Sequence, residues 1–548
     1  MPKKARPVAT IDCETDPFLF GRIPEPFLWD YFDGSRHVTI PKTEDFIAFL
    51  ESLPPTVCYA HNGGKFDYHM PGFLNALEPF SRITIINGRL AKFSIGEVEF
   101  RDSVNILPIA LGAYKKEEID YAKMESNVRD KHMDEITRYL HKDTEYLFEL
   151  VHKFRTTYGD GLTLAGCAMK FWSNRTGIKP PQTTAGFYHD IARFYYGGRV
   201  ECFQKGLIEN VFKMVDINSA YPYAMLHQHP FSTNYVKTLP SHDPHDIAEI
   251  VPHSLYSIHG ESFGCLPVRG ERQNLGFPHT GGEKTTFYIT GWEYLAGLRT
   301  GTIKIDRINF RYDFSECIDF TKYINYFYDL KKSAKKESAE YIFAKLFMNS
   351  LYGKFGANPE NYANFEIIPL QYVEAAKACG SKFAGELGKW AIAETPLEQE
   401  QMRFYNVATA ASITGFVRAY LWEHICKIKD EGGQVLYCDT DSIAFRGEGK
   451  GFRFDKELGG WSNEGEFESG GIAGKKMYAF KYKGEERYKS GCKGVRITPQ
   501  QILKVCSGET VNYQRDAPSF GSRIKIDKDG RKVRTGCTRF VEREVKMT

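Results

Sequence analysis

The sequence predicts a multidomain protein that combines α/β and α+β architecture. Its 548 residues exceed the size of a single typical domain several-fold, so three to four folding units are expected. Residues 1–160 alternate short strand-like segments with one long amphipathic helix, a pattern typical of α/β domains. Beyond Gly470 the chain is basic and rich in strand-like segments, and Pro180 and Pro181 mark a domain boundary within 175–184.

The composition excludes several classes of protein. Hydrophobic residues make up 42% and aromatic residues 14%, which excludes a disordered or fibrous chain. No apolar run approaches the ~20 residues of a membrane-spanning helix, and the N-terminus lacks the apolar core of a secretory signal. The 12 cysteines form no CxxC pair, so we expect reduced thiols rather than a zinc ribbon. A soluble protein inside the cell is predicted.

The sequence predicts the following order of strands and helices. A strand is expected at 8–11, a helix at 133–154, strands at 211–215 and 285–289, a helical pair at 323–351 and a strand–turn–strand at 435–445. The net charge of +3 is nearly balanced, so only local clusters of charge could bind nucleic acid.

Four carboxylates in the first 150 residues are candidates for one metal site. Asp12 and Glu14 are two residues apart in a strand and therefore point to the same face. Asp67 follows a glycine-containing bend, and Asp143 is about 40° from Tyr139 on the apolar stripe of the predicted helix. Such carboxylates could hold two Mg²⁺ ions for phosphodiester hydrolysis, with Tyr139 orienting the water. The alternatives are solvated charges, a turn Asp, and an Asp paired with a core Arg or Tyr.

A second acidic set occurs in the middle of the chain. Asp216 ends a buried strand, and a tight hairpin places Asp439 and Asp441 at its tip. Three carboxylates brought together repel each other unless a metal lies between them. A helix between the two segments presents Lys345, Asn349 and Tyr352 on one face and ends near Gly353. The alternatives are an ordinary polar turn and an ordinary amphipathic helix.

These motifs resemble those of two linked enzyme modules. The order D-x-E, N-x3-F-D, Y-x3-D is similar to that of the DEDDy-type 3′–5′ exonucleases. The motifs at 216–222 (D-x2-S-x-Y-P), 345–353 (K-x3-N-S-x-Y-G) and 437–442 (Y-x-D-T-D-S) resemble motifs A, B and C of family B DNA polymerases. The sequence departs from the family at Ala220, where Leu is common. The resemblance implies a ribonuclease-H-like exonuclease followed by a right-hand polymerase with palm, short fingers and small thumb.

Three features resemble the protein-primed subgroup of phages and linear plasmids. The chain is short and has no cysteine-rich tail, Tyr195–Gly198 matches a Y-x-GG linker, and the interval from motif B to motif C exceeds that of a simple connection. The expected domains are an exonuclease (1–165), a linker (166–200), palm (201–229), a first insertion with palm strands that contacts the priming protein (230–318), fingers (319–356), a second insertion for strand displacement (357–405), palm (406–490), and thumb and C-terminus (491–548).

The resemblance assigns a role to each matching residue. The expected catalytic residues are Asp216, Asp439, Asp441, Asp12, Glu14, Asp67, Tyr139 and Asp143. Two ions of Mg²⁺ per site, replaceable by Mn²⁺, are expected on these carboxylates and on the carbonyl of Ile217. Expected nucleotide contacts are Tyr221, Lys345, Asn349, Tyr352, Lys331 and Lys332, the last two because Tyr341 stands where a second Lys would help. Expected DNA contacts are Thr15, Asn62, Phe66, Tyr195, Gly197, Gly198, Thr414, Arg418, Lys476 and Tyr478, with Lys116 a looser match.

Two further segments are basic, and the first of them is expected to contact DNA. Residues 481–496 carry six Lys and Arg side chains interleaved with aromatic residues, and 523–534 reads as a basic hairpin around Asp529–Gly530, which resembles the small thumb. A solvated basic face is the alternative for 481–496.

The predicted function is therefore a proofreading DNA-directed DNA polymerase that replicates a viral or plasmid genome by protein-primed, strand-displacing synthesis. Its expected partners are primer–template DNA, dNTPs and a terminal protein. We expect a monomer in the host cytoplasm with no membrane contact. One alternative is a repair or plasmid polymerase that extends nucleic-acid primers; the other is an inactivated polymerase that serves as a DNA-binding scaffold. A reverse transcriptase is disfavoured by the order of the motifs.

Overall fold

The computed structural model describes residues 6–115, 117–270, 274–526, 532–535 and 538–548. Its first part is a twisted sheet with helices against it, made of β1 (Val8–Thr15), β2 (Pro26–Phe32), β3 (His37–Ile40), α1 (Thr43–Glu51), β4 (Thr56–Ala60), β5 (Arg82–Ile86), β6 (Arg89–Ile95), β7 (Val98–Asp102) and α2 (Met133–Tyr158). Strand β1 pairs in parallel with β4 and antiparallel with β2. Helix α2, predicted to end near Phe154, continues to Tyr158 and packs across β1 and β2.

The next part leads from that sheet into a second one. It comprises α3 (Leu164–Thr176), β8 (Gln182–Thr183), α4 (Ala185–Ala192), β9 (Val200–Cys202), β10 (Gly206–Ile208), β11 (Phe212–Ile217), α5 (Ala220–Ala224), β12 (His229–Pro230), β13 (Tyr235–Thr238), β14 (Leu255–Ser262), β15 (Val268–Arg269), β16 (Leu275–Gly276), β17 (Thr285–Thr290), α6 (Gly291–Arg299), β18 (Ile303–Phe314) and β19 (Cys317–Ile318). Strands β13, β18, β14 and β17 form an antiparallel sheet within the predicted first insertion.

A helical pair then precedes a small β-rich segment. The elements are α7 (Thr321–Ser333), α8 (Ala339–Phe355), β20 (Ala363–Pro369), α9 (Val373–Ala378), β21 (Lys382–Leu387), β22 (Trp390–Pro396) and β23 (Phe404–Tyr405). Strand β20 pairs with β5, where Phe365 lies opposite Ile83. Among the described residues, the N-terminal sheet therefore has ten strands in the order β21-β22-β20-β5-β6-β7-β4-β1-β2-β3. The segment predicted as the second insertion thus extends the sheet of the predicted exonuclease.

The last part completes the central sheet. It consists of α10 (Val407–Asp430), β24 (Gln434–Asp439), β25 (Ser442–Arg446), β26 (Trp461–Gly474), β27 (Met477–Tyr482), β28 (Tyr488–Cys492), α11 (Pro499–Cys506), β29 (Val511–Phe520), β30 (Arg523–Ile526), β31 (Lys532–Thr535) and β32 (Thr538–Val545). The central sheet has the strand order β28-β27-β26-β11-β25-β24-β9, and β10 also pairs with β26. The paired strands β30 and β31 confirm the basic hairpin, whereas its predicted turn at Asp529–Gly530 lies outside the described residues, as does Lys116.

Helix α10 is buried along most of its length and joins the central sheet to α6 and α8. The cysteines of the described ranges are all free thiols, as expected. In those same ranges, no helix combines the length and apolar character needed to cross a bilayer.

Candidate active sites

Strand β1 delivers two carboxylates to the first acidic site. Asp12 and Glu14 lie near Asp67, which follows a turn at Asn62 (φ 68°), and near Asp143 on α2. Glu14 and Asp67 are 8% and 2% exposed. Burial, and then repulsion from Asp67, Asp143 and Glu14, raises the pKa of Asp12 well above its usual value. Burial raises the pKa of Asp67 to about 6. The structure therefore brings together the four predicted carboxylates, and after burial the charges of their neighbours in this group raise the pKa values of Asp12 and Glu14.

Helix α2 places its functional side chains differently from the prediction. Leu140 and Thr144 are fully buried and form the centre of its inner face, whereas Asp143 and Tyr139 are half-buried at the margin. The prediction that Asp143 lies in the middle of the apolar stripe is therefore wrong, because the stripe is centred one position further along. Burial raises the pKa of Tyr139, as do its hydroxyl contact with Tyr121 (3.4 Å) and the charge of Asp143.

The bend before Asp67 is organised by a residue that the sequence did not single out. Asp102, 1% exposed, accepts hydrogen bonds from the backbone N–H groups of Asn62 (3.2 Å) and Gly64 (3.1 Å) and from Arg89 (2.7 Å). A side chain at Gly64 would place its Cβ 2.1 Å from the carbonyl oxygen of Leu90. These contacts fix the backbone at Asn62. The oxygen of the Asn62 side-chain amide also accepts a hydrogen bond from Arg89 (2.7 Å).

A second missed neighbour is a thiol. The Cys13 Sγ donates to Oδ1 of Asp67 at 3.4 Å. Thr15, predicted to contact DNA, is 7% exposed, and its hydroxyl donates to the carbonyl of Asp16 (3.0 Å). Neither contact has a signature in the local sequence.

A cleft of about 750 Å³ adjoins this site. Phe66 lies in its wall against Phe18, with ring centroids 5.4 Å apart at 81°. Strand β29 forms the opposite wall. Burial lowers the pKa of Lys65, and the nearby Arg89 and Arg515 lower it further. The cleft therefore combines aromatic faces with crowded positive charge, a combination suited to single-stranded nucleic acid.

The second acidic site lies where β11 meets the β24–β25 hairpin. Asp216 and Asp439 are each paired in register with Ser442, and the N–H of Ile217 donates to the carbonyl of Asp441 (2.8 Å). Burial and the charge of Asp441 raise the pKa of Asp216 to about 7. Burial and the charge of Asp439 raise the pKa of Asp441 to about 6. The structure thus assembles the three predicted carboxylates at one edge of the central sheet.

Two salt bridges modify this acidic cluster. Lys476 forms an ion pair with Asp439, and its backbone N–H donates to the Tyr437 hydroxyl (2.9 Å). Glu464, which sequence reasoning missed, acts electrostatically on Asp216 and pairs with Lys489 at 2.6 Å. It lies at the register shift of the β11–β26 pairing, between the paired residues Asn463 and Gly465, a feature that the sequence does not signal.

Helix α8 brings Tyr352, one residue of its predicted face, next to Tyr221 beside this cluster. Lys345 and Asn349 are exposed, and the Tyr352 ring stacks on Tyr221 at 4.4 Å and 15°. The helix continues past Gly353 to Phe355, two residues beyond the predicted end.

Helix α7 carries two further lysines, and their surroundings differ. Burial and then the charge of Lys345 lower the pKa of Lys331, which places Lys331 near the predicted nucleotide site. Lys332 is instead paired with Glu457 at 3.1 Å, so a role toward phosphate would require that exposed pair to open.

The Y-x-GG segment lies directly against the hairpin tip. A Cβ at Gly198 would be 2.8 Å from Cγ2 of Thr440 and 3.1 Å from the Tyr221 hydroxyl. Gly197 is exposed, and Tyr195 is half-buried beneath Gly356. Tyr478, also predicted to contact DNA, is half-buried beside Tyr437, with ring centroids 5.2 Å apart.

Two residues that were expected to contact DNA are buried in the structure. Thr414 and Arg418 are each 2% exposed. The Thr414 hydroxyl donates to the carbonyl of Ala410 (3.1 Å), within its own helix. Arg418 pairs with Glu293 (2.8 Å) and donates to the carbonyls of Tyr196 and Gly197, each at 2.8 Å. Arg418 therefore positions the linker, and neither side chain is accessible to DNA.

The predicted basic cluster at 481–496 is largely neutralised. Lys481 lies 3.0 Å from Glu468, and Arg487 lies 2.9 Å from Glu485. Lys483 likewise pairs with a glutamate, at 3.3 Å. Counting basic residues overstated the charge here, because acidic residues of β26 and the adjoining turn pair with them.

Both acidic sites have donors suited to Mg²⁺. Their ligands are carboxylate oxygens, and burial raises the pKa values of Asp67, Asp216 and Asp441 by disfavouring the charged form, which a bound divalent cation would stabilise. The residues present therefore fit the expected ions.

Comparisons with known proteins converge on one family. The family described as DNA polymerase type B, organellar and viral, matches residues 92–369. The chain is 35% identical to the DNA-directed DNA polymerase of Enterobacteria phage PRD1 over 595 aligned residues, which cover 100% of both chains. It is 25% identical to a probable DNA polymerase of Agaricus bitorquis over 439 residues, covering 69% of this chain and 52% of that one.

A solved structure confirms the fold class. The Phi29 DNA polymerase complexed with primer-template DNA and incoming nucleotide superposes with a TM-score of 0.73 at 18% identity, covering 99% of this chain and 100% of that chain. The predicted arrangement of an exonuclease module followed by palm, fingers and thumb is therefore correct.

Proposed function

Because the chain belongs to the organellar and viral type B DNA polymerases, we propose that it is a DNA-directed DNA polymerase with a 3′–5′ proofreading exonuclease. The proposal depends above all on Asp216 and Asp441, which lie side by side where β11 meets the hairpin, and whose pKa values are raised by burial and then by a neighbouring carboxylate, Asp441 for Asp216 and Asp439 for Asp441. Tyr221 and Tyr352 stack beside them. We retain the predicted domain boundaries as part of this proposal.

At the polymerase site, each group has a separate task. Asp216 and Asp441, with Asp439 and the Ile217 carbonyl, would hold two Mg²⁺ ions, which supply activation of the primer 3′-hydroxyl and shielding of the triphosphate charge. Lys345, exposed on α8, binds the outgoing phosphates. The stacked Tyr221 excludes a ribose 2′-hydroxyl by occupying the space beneath the sugar.

At the exonuclease site, Asp12, Glu14, Asp67 and Asp143 would hold a second pair of ions. The Tyr139 hydroxyl, near Asp143, orients a water molecule. A frayed 3′ end reaches this site through the cleft beside Phe66. Its bases stack on the aromatic rings there, and its phosphates contact the positively charged side chains around Lys65.

We further propose that synthesis in the host cell starts on a priming protein and displaces the strand ahead. Linker residue Gly198 packs against the hairpin tip, and the module at 230–318 contacts the linker through Glu293 and Arg418. This arrangement supports a protein-binding role for that module. Strands β20–β22, attached to β5, provide a rigid wall for separating strands.

The first test uses a primed single-stranded minicircle with Mg²⁺ and dNTPs, analysed on a denaturing gel. We expect wild-type products longer than one circumference. Asp441→Asn should abolish primer extension while primer shortening continues. Asp67→Asn should abolish primer shortening while extension continues. Asp430→Asn, at the exposed end of α10, is the matched control and should behave like wild type. Normal extension by Asp441→Asn would remove the proposed active site.

The second test concerns priming. A labelled deoxynucleotide should become covalently attached to a hydroxyl of the replicon's terminal protein and survive denaturation. Extension of the minicircle without such attachment would identify a polymerase that uses nucleic-acid primers.

A further inference from the structure

A cluster of metal-ligating side chains lies between α2 and the β2–β3 hairpin, next to the first acidic site, where Asp30 pairs in register with Asp12. Asp30 on β2 is fully buried, and its Oδ2 is 2.8 Å from Nδ1 of His37 on β3. Its Oδ1 is 3.5 Å from Nε2 of His141 on α2. One donor atom from each residue lies within 4.8 Å of the other two. Three elements of the fold thus converge on one point with two nitrogens and one carboxylate.

The surroundings of the cluster resemble an outer coordination shell. The other ring nitrogen of His37, Nε2, is 3.2 Å from Oε1 of Glu145. The hydroxyls of Thr144 (2.7 Å) and Thr39 (2.9 Å) donate to the Asp30 carboxylate. A histidine that ligates a metal commonly donates its second nitrogen to a carboxylate, and a ligating carboxylate is itself hydrogen-bonded. Both features are present here.

The charge balance also favours a cation. Within the described ranges, the ion-pair partners of Asp30 are these two histidines, with no Lys or Arg among them. The two rings stack with centroids 3.9 Å apart at 13°. A buried carboxylate is costly without a compensating positive charge, and a divalent ion held by these three residues would supply that charge.

We propose that Asp30, His37 and His141 form a structural Zn²⁺ site. Two imidazole nitrogens and one carboxylate are typical ligands of zinc, whereas Mg²⁺ prefers oxygen. Binding opens the ring stack, because the metal must lie in the plane of both imidazoles. His141 stands midway between Tyr139 and Asp143. The ion therefore fixes the β2–β3 hairpin to the turn of α2 that carries two exonuclease residues.

The test measures metal content in the full-length chain. The protein is stripped with a chelator and titrated with Zn²⁺ in excess Mg²⁺, which occupies the all-oxygen sites. We expect one equivalent of tightly bound Zn²⁺ in the wild type and its loss in His37→Ala/His141→Ala. Glu145→Gln should retain the site with affinity weaker by about 10–100-fold. His152→Ala, on the same helix but outside the cluster, is the control and should bind like wild type.

Two results would overturn the proposal. One is equal Zn²⁺ stoichiometry and affinity in the wild type and the double variant, with folding verified by circular dichroism. The other needs no variant: Co²⁺ added to the stripped wild type in excess Mg²⁺ should give the visible absorption of a nitrogen-ligated site of low coordination number, and a spectrum identical to Co²⁺ in buffer contradicts the site. Neither readout depends on polymerase activity.

Discussion

A single methyl group at Gly198 is expected to impair nucleotide incorporation. Its Cβ would lie 2.8 Å from Cγ2 of Thr440 and 3.1 Å from the hydroxyl oxygen of Tyr221. Carbon atoms in contact prefer a separation of about 3.5–4.0 Å. Thr440 cannot retreat easily, because it occupies the left-handed region (φ 63°) at the hairpin tip and its N–H donates to the carbonyl of Arg199 (2.6 Å). Either the Asp441 turn or the Tyr221 ring must therefore move.

The size of the effect follows from the cost of overpacking. Inserting a methylene into a packed site costs about 1–3 kcal/mol, which corresponds to about a 5- to 150-fold fall in incorporation efficiency if the strain is borne at the active site. Gly197→Ala is the matched control, because a Cβ there meets no atom within 4 Å. Neither glycine has a left-handed φ, so backbone strain does not confuse the comparison.

The assay is single-turnover incorporation of one dNTP on a primed template. Digestion of a single-stranded oligonucleotide by the same preparation measures the exonuclease, which should be unchanged. If Gly198→Ala incorporates nucleotide as efficiently as Gly197→Ala, then the contact between linker and hairpin tip does not hold the site, and the reasoning is refuted.

Three further predictions concern charge. Because the folded-state pKa values of Asp67 (about 6) and Asp216 (about 7) exceed the ordinary 3.8, the metal-free protein should lose thermal stability as pH rises from about 4 to 7, and Mg²⁺ should restore it at the upper end. Arg418→Met leaves a buried carboxylate unpaired and should destabilise the protein by about 3–5 kcal/mol in denaturant unfolding. Arg299→Met, which breaks an exposed pair, should cost about 0–1 kcal/mol. Lys65→Gln should weaken single-strand binding, measured by anisotropy, and lower its salt dependence by about 0.7 in logarithmic slope if one phosphate contact is lost.

Each of these has a clear contrary result. A melting temperature in chelator that rises across the same pH window would mean that the folded-state pKa values of these two carboxyl groups are not raised. Equal unfolding free energies for the two arginine variants would show that the buried pair is no more important than the exposed one. An unchanged salt slope for Lys65→Gln would exclude phosphate contact at that residue.

Local patterns predicted the acidic sites well. Period-two alternation placed Asp12 and Glu14 together, and the hairpin pattern placed Asp439 and Asp441 at a tip. Both predictions concern side chains that are only a few residues apart in the sequence. The direction of such side chains follows directly from the periodicity of a strand. The fold class was likewise predictable, because the order of the motifs resembles that of a known family.

Long-range contacts account for what the sequence could not predict. The pairing of β20 with β5 joins segments about 280 residues apart, and no local pattern specifies such a partner. Arg418 resembled a DNA contact until its burial beside Glu293 became visible. Glu464 acts on Asp216 from the register shift between two strands, β11 and β26, that are distant in the sequence. In each case, the deciding contact comes from a distant part of the chain.

The buried ion pair also connects the predicted first insertion to the nucleotide site by continuous contacts. Glu293 lies in the first turn of α6, where it also accepts the N–H of Thr290 (3.0 Å). Arg418 bridges this carboxylate to the carbonyls of Tyr196 and Gly197, and the next residue packs against the hairpin tip. A shift of α6 therefore has to move the linker, strain the ion pair or move the tip. Because a desolvated ion pair is costly to break, the first and third responses are favoured. A protein that docks on the module at 230–318 would thus be able to act on nucleotide incorporation through the position of the linker.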